Sequence, residues 1–266
     1  MSNVFNPTVA WITLRATLSR KRALLFALPA VILILVTAAL KASHPPSRHW
    51  PSVVLGTFGF TVLLPLTALI IGTSVLGAEI DDGSIVHLLA TPVRRLSVIM
   101  TKFSVATVLT MVFAAVPELI AALISGGGDT PDKNVIQPGG FMQHIAGTPV
   151  NSTNFAVGLF VGALVGAVIY NALFVMVSVA TTRAIAVGLL YVLIWESLLS
   201  NFVSGARLLS VSHYSLGVAN GFVNDAGLNA SLTVATSVVM GVIVTVAALL
   251  LAVNLLRSFT LKGDPA

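Results

Sequence analysis

Residues 79–102 read Glu79-Ile80-Asp81-Asp82-Gly83-Ser84-Ile85-Val86-His87-Leu88-Leu89-Ala90-Thr91-Pro92-Val93-Arg94-Arg95-Leu96-Ser97-Val98-Ile99-Met100-Thr101-Lys102. They hold six of the 23 Asp, Glu, Lys and Arg residues in the chain and lie between two long apolar runs. The order is acids, a short apolar segment, Thr91-Pro92, then bases. Gly83 readily ends a preceding helix, Ser84 is placed to cap a short helix over 85–90, and Thr91-Pro92 closes it. The stretch therefore reads as a helix–short helix–helix reversal with an apolar knob, Ile85, Leu88 and Leu89, presented to a soluble partner. An ion-paired loop lying on lipid headgroups would explain the charges and leave the knob without a role.

Outside this loop the chain is a membrane protein by composition. It is 56% hydrophobic and only 9% charged over 266 residues, far from a soluble domain. That length suits one transmembrane domain spanning residues 1–266. A bilayer-crossing helix needs roughly 20 apolar residues. Six segments approach this: about 23–40, 53–77, 103–124, 155–180, 184–200 and 231–256, the fifth being the shortest. The first follows Arg20-Lys21-Arg22, yet its apolar run is long for a signal peptide and no small-residue cleavage site follows. It is expected to be retained. Residues 1–22 suit an interfacial helix, with Val9, Ile12 and Ala16 on one face and Phe5 and Trp11 nearby.

Orientation follows from Lys and Arg. With the N-terminus inside, inner segments carry Arg15, Arg20, Lys21, Arg22, Arg94, Arg95, Lys102, Arg183, Arg257 and Lys262. Outer segments carry Lys41, Arg48, Lys133 and Arg207, so ten against four put both termini and the 79–102 loop in the cytoplasm. The net charge of +5 is this bias, and no basic face with interleaved aromatics suggests nucleic acid. Residues 125–154, with Gly126-Gly127-Gly128-Asp129 and Gln137-Pro138-Gly139-Gly140, read as a long, polar, turn-rich outward loop. Residues 201–230 are too polar to span and too apolar for a free loop, which suits short re-entrant helices.

Chemistry-bearing motifs are few. There is no cysteine, no phosphate-binding GxxxxGK[ST] loop, and the five histidines lack metal-ligand spacing. No catalytic constellation, cofactor site or metal site is expected on this chain. Two carboxyls fall inside apolar spans, Glu118 beside Pro117 and Glu196 beside Trp195. A charge at mid-bilayer costs about 2.5 kcal/mol or more, so each must face protein or water. They read either as the lining of a pathway or outer gate, or as carboxyls snorkelling or hydrogen-bonded between helices. Gly158, Gly162 and Gly166 repeat every fourth residue and let a second helix approach, inside the bundle or at a subunit interface.

With these residues in view, the loop resembles the cytoplasmic loop of ABC-2-type transporter permeases, the membrane subunits of type V ABC exporters. The matching residues are Glu79 at the end of the second span, then Gly83, Leu88-Leu89, Pro92, and Arg94 or Arg95, and Asp81 and Asp82 join them in the expected coupling set. Lys102 stands where the third span is expected to begin. The resemblance implies an all-α bundle of six transmembrane helices with an interfacial N-terminal helix and a cytoplasmic coupling helix. It also implies a multi-pass subunit of the cell inner membrane, pairing with two separate ATP-binding cassette ATPase subunits that carry ATP and Mg. A second permease chain, identical in the simplest case, surrounding membrane lipid and an extracytoplasmic accessory protein complete the expected partners. Under that resemblance the chain exports or extrudes a substrate such as a lipid or drug and is not itself an enzyme. A variant drives an extracytoplasmic partner without moving a substrate through a pore. Rivals of another class are an ion-coupled secondary transporter using Glu118 and Glu196, and a membrane scaffold.

Overall fold

The structure is a computed structural model that describes residues 7–18, 20–43, 50–81, 95–128, 133–136, 142–145, 150–200, 204–223, 228 and 230–258. Helix α1 is Pro7–Thr17 and α2 is Arg20–Ala42. Helix α3 begins at Trp50–Val53, widens into a π-helix over Val54–Leu63 and continues as Leu64–Asp81. Helix α4 has the same construction: Arg95–Thr110, a π-helical Met111–Ala115, then Val116–Ser125. After a small hairpin come α5 (Ser152–Ala180) and α6, which is α-helical over Ala184–Leu190 and π-helical over Tyr191–Leu199. A 3₁₀ turn at Ser204–Leu209 leads into α7 (Val211–Val223), and α8 is Val234–Ser258.

Among the described residues five helices are long and apolar enough to cross a membrane: Ala23–Ala42, Trp50–Gly77, Arg95–Ser125, Ser152–Ala180 and Val234–Leu256. The sixth predicted span is the apolar helix Ala184–Leu199, shorter than the roughly 20 residues a bilayer core requires. The third span starts at Arg95 rather than at residue 103, because Ser97, Thr101 and Lys102 are buried within the bundle. Polar residues that face protein can lie on a helix inside the apolar layer.

Two of the three π-helical stretches precede prolines. Leu64 donates its backbone N–H to the Gly59 carbonyl, and Val116 donates to Met111, each five residues back. Pro65 and Pro117 follow directly. A proline ring clashes with the carbonyl four residues earlier, and a widened turn moves that carbonyl aside. At Pro117 the helix is rewound and continues to Ser125.

Helix α5 is the central post, packed against α3, α4, α7 and α8. Tyr170 and Phe174 stack along it with ring centroids 5.9 Å apart. Asn171, fully buried, donates Nδ2 to Thr110 Oγ1 on α4 at 2.9 Å and to the Ala167 carbonyl at 2.7 Å. Other buried hydroxyls return to their own helix, such as Thr37 to the Leu33 carbonyl and Thr73 to that of Leu69. By contrast α2, α6 and α8 leave rows of Leu, Val and Ile exposed, as lipid-facing helices do.

On α1 the bundle-facing positions are Thr13 and Thr17, both buried, with Leu14 and Ala10 packed on the Phe26 cluster. Trp11 and Ile12 face outward at 65% and 60% exposure, with Arg15 and Ala16 beside them.

The loop over 125–154 carries two short strands. Lys133–Ile136 (β1) and Met142–Ile145 (β2) pair antiparallel, Lys133 opposite Ile145 and Ile136 opposite Met142. Apart from this small hairpin the described elements are helices, in keeping with the all-α expectation. The hairpin's strands are too short to have stood out in a Gly- and Pro-rich segment. Gly126, at φ 92°, ends α4 in the left-handed conformation, and Val150 N–H bonds the Gly128 carbonyl at 2.8 Å, closing the neck of the loop.

Candidate functional site

Of the residues proposed for coupling, Glu79 and Asp81 lie in the last turn of α3 and Arg95 opens α4. Asp82, Gly83, Ile85, Leu88, Leu89, Pro92 and Arg94 lie outside the described residues, as does the short helix expected over 85–90. What is described is how the limbs of the loop enter the bundle. Arg95 Nη1 donates to the Leu256 carbonyl on α8 at 2.8 Å. Lys102, fully buried, donates Nζ to the Val75 carbonyl on α3 at 2.8 Å. A buried ammonium needs such acceptors to offset its lost hydration. Both limbs are thus bolted to neighbouring spans, α4 to α3 by Lys102 and α4 to α8 by Arg95.

At the other end of the molecule, Gly158, Gly162 and Gly166 form the floor of a groove on α5 that receives α7. A Cβ at Gly162 would lie 2.6 Å from the Ser215 carbonyl oxygen and 2.8 Å from Ala219 Cβ. One at Gly158 would lie 2.4 Å from Val223 Cγ2, and one at Gly166 2.5 Å from Ser215 Oγ. Distances below 3 Å leave no room for any side chain, so the backbones of α5 and α7 meet here directly. This seats a 13-residue helix, too short to span, deep among the others: Val211–Ala219 is buried residue by residue.

Glu196 holds the start of that helix. Its carboxylate is fully buried and accepts five hydrogen bonds. Oε1 takes Tyr191 Oη at 2.9 Å and Val211 N–H at 2.9 Å. Oε2 takes Ser210 Oγ at 2.6 Å, Ser212 Oγ at 2.7 Å and Ser212 N–H at 3.3 Å. The first N–H groups of a helix have no partner within it, and the macrodipole favours negative charge there. An acid on α6 therefore does for α7 what a local N-cap does elsewhere. Trp195 Nε1 donating to the Leu209 carbonyl at 3.2 Å and Arg207 Nε to that of Ser200 at 3.3 Å stitch the intervening 3₁₀ turn to α6. Next along α7, burial lowers the His213 imidazole below its ordinary pKa; Glu196 opposes that shift and Arg207 adds to it. Tyr191, Ser210 and Ser212 were not singled out in the sequence. Ser-Val-Ser ahead of an apolar run is a capping signal, but its partner, 14 and 16 residues upstream, is set by the fold.

Glu118 is placed otherwise. It is 4% exposed and abuts Gly59 in the π-helical part of α3, where a Cβ would come within 2.5 Å of Oε2. The two carboxyls do not share a site: Glu196 caps α7, whereas Glu118 lies between α3 and α4 at a cavity also walled by Pro29 and Leu33 of α2. Among the described residues no group of three or more His, Asp or Glu side chains could hold a metal.

No curated protein matches the chain. Residues 17–147 match a family model described as ABC-2 family transporter protein, a segment that contains α2, α3, the whole 79–102 stretch and α4 with Glu118. Glu196, the glycine groove and α7 lie beyond it. Over that segment, a little under half of the chain, it is similar to ABC-2 family transporter proteins, and its long apolar helices are those of a multi-span membrane protein.

Proposed function

We propose that this chain is an ABC-2-type permease subunit that receives work from separate ATP-binding cassette ATPases through residues 79–102 and uses it to export or extrude a substrate across the cell membrane. The observation that carries this reading is the anchoring of the loop's limbs. A pull on a docked 84–90 segment would reach α4 at Arg95, and from there α8 through Leu256 and α3 through the Lys102–Val75 bond. Ile85, Leu88 and Leu89 would fill a groove on the ATPase, with Glu79, Asp81, Asp82, Arg94 and Arg95 setting register through complementary charge. In this reading ATP and Mg are held by the partner, both termini are cytoplasmic, and residues 1–266 act as one transmembrane domain with α6 as its sixth span. A second permease chain completes the pathway, and Glu118 and Glu196 influence its outer half. Replacing Leu88 or Leu89 by Asp should release the co-purifying ATPase while the bundle keeps its thermal unfolding profile. Retained complex with undiminished ATP-driven activity would end the coupling assignment.

A second reading shares the coupling and differs in the load. The β1–β2 hairpin, rising from a neck closed by the Gly128–Val150 bond, is a built feature in the long outward loop. It favours transmission of the motion to an extracytoplasmic partner. Replacing residues 130–148 by a short Gly-Ser linker distinguishes the two. Transport with an intact ATPase complex after deletion removes the partner reading; loss of activity with ATP hydrolysis preserved supports it.

A further inference from the structure

The carboxyl of Glu118 is buried at the junction of α2, α3 and α4, and its Oε1 has no hydrogen-bond partner. The hydroxyl of Thr67, on α3 and only 1% exposed, is likewise unpartnered. Both line one cavity of about 10 Å³, room for roughly one water. The other walls are apolar or backbone: Pro29 and Leu33 from α2, Gly59 and Phe60 from α3, Pro117 from α4, and Ala163 from α5. No titratable side chain apart from Glu118 lines it. Lys41, at the far end of α2, is engaged by the Ile124 carbonyl at the end of α4.

An ionised carboxylate in such a place has neither a cation nor a donor to replace its hydration. A buried acid so placed takes up a proton instead. A metal cation does not fit, since sodium- or calcium-like ions need about six oxygen ligands and the cavity offers the oxygens of one carboxyl and one hydroxyl. We infer that Glu118 is a proton-binding site, occupied whenever α2, α3 and α4 are packed as they are here. The neutral acid can donate to one water in the cavity, which can in turn bond Thr67 Oγ1, so that both orphaned groups are satisfied together. Gly59 is what allows it, because any larger residue on that turn of α3 would occupy the carboxyl's place. Opening the α3–α4 contact to water would let the proton leave, so this packing is linked to proton uptake. Glu118 would hold its proton whether or not residues 79–102 dock an ATPase.

The chain makes the test direct. It has three glutamates, and Pro117-Glu118 is its single Pro-Glu pair. The full-length protein, labelled with carbonyl-¹³C proline and uniformly ¹³C,¹⁵N-labelled glutamate, is reconstituted in phosphatidylethanolamine–phosphatidylglycerol bilayers. Solid-state NMR then selects Glu118 in the unaltered sequence. Its side-chain carboxyl carbon is expected at the acid-form shift at pH 7, and the corresponding acid-form signal should vanish in Glu118→Gln and survive in Glu196→Gln. A carboxylate-form shift for Glu118 at pH 7 in the wild-type protein overturns the proposal, and needs no variant to fold.

Discussion

The Glu196 carboxylate on α6 lies 2.9 Å from the backbone nitrogen of Val211, the first residue of α7. One side chain thereby fixes where a buried, non-spanning helix begins, while the glycines of α5 fix where it lies.

Glu196→Ala should leave Ser210, Ser212 and two backbone N–H groups without their acceptor in the interior. Each buried donor left unpaired costs about 1–3 kcal/mol. A large drop in thermal unfolding temperature in detergent is expected. Glu196→Gln, which keeps one carbonyl oxygen, should fall between this variant and the wild type. An unchanged midpoint in both would mean that the cap contributes nothing.

At Gly162, Ala should be poorly tolerated, because its Cβ would meet the Ser215 carbonyl oxygen at 2.6 Å. Overpacking of this kind costs about 1–3 kcal/mol. Gly205→Ala is the matched control, since nothing lies within 4 Å of its Cβ position. Faster hydrogen exchange over Val211–Val223 in the Gly162 variant, and none in the control, is the expected result.

Lys102→Met replaces a buried ammonium by an apolar chain of similar length. Stability should change little, because the desolvation cost of the charge disappears with its hydrogen bond to Val75. Under the proposed coupling, ATP hydrolysis by the assembled complex should persist while transport falls, as α4 slips relative to α3. Equal loss of both activities would place the defect in assembly instead.

Arg95→Ala removes the bond from its guanidinium to the Leu256 carbonyl, a charged hydrogen bond of a kind that contributes at most about 1.5–3 kcal/mol. The last turn of α8 should then exchange its amides faster and be cut earlier by protease, with the melting of the bundle only slightly lowered. Arg95→Lys should recover part of the protection, since an ammonium can still donate to a carbonyl.

Much of the fold was legible in one dimension because lipid imposes a simple rule: apolar length and basic loops. Four of the long spans match the expected segments within a few residues, and the third extends further toward the loop because Lys102 finds an acceptor on α3. The hairpin escaped notice, since four-residue strands carry little periodic signal. The rewound turns before Pro65 and Pro117 also escaped notice, because composition shows that a proline must be accommodated and leaves open how.

The candidate sites divide along the same line. By itself the sequence determined that the chain is a helical membrane protein, that two carboxyls fall inside its apolar runs, and that 79–102 is its most unusual loop. Those conclusions follow from transfer free energies, which depend on residue type and run length. Only the tertiary structure decided that Glu196 is saturated by α7 while Glu118 meets Gly59 and an unpartnered Thr67. Two glutamates that each interrupt an apolar run in sequence differ because hydrogen-bond donors come from residues distant in the chain. Whether such donors arrive is settled by packing.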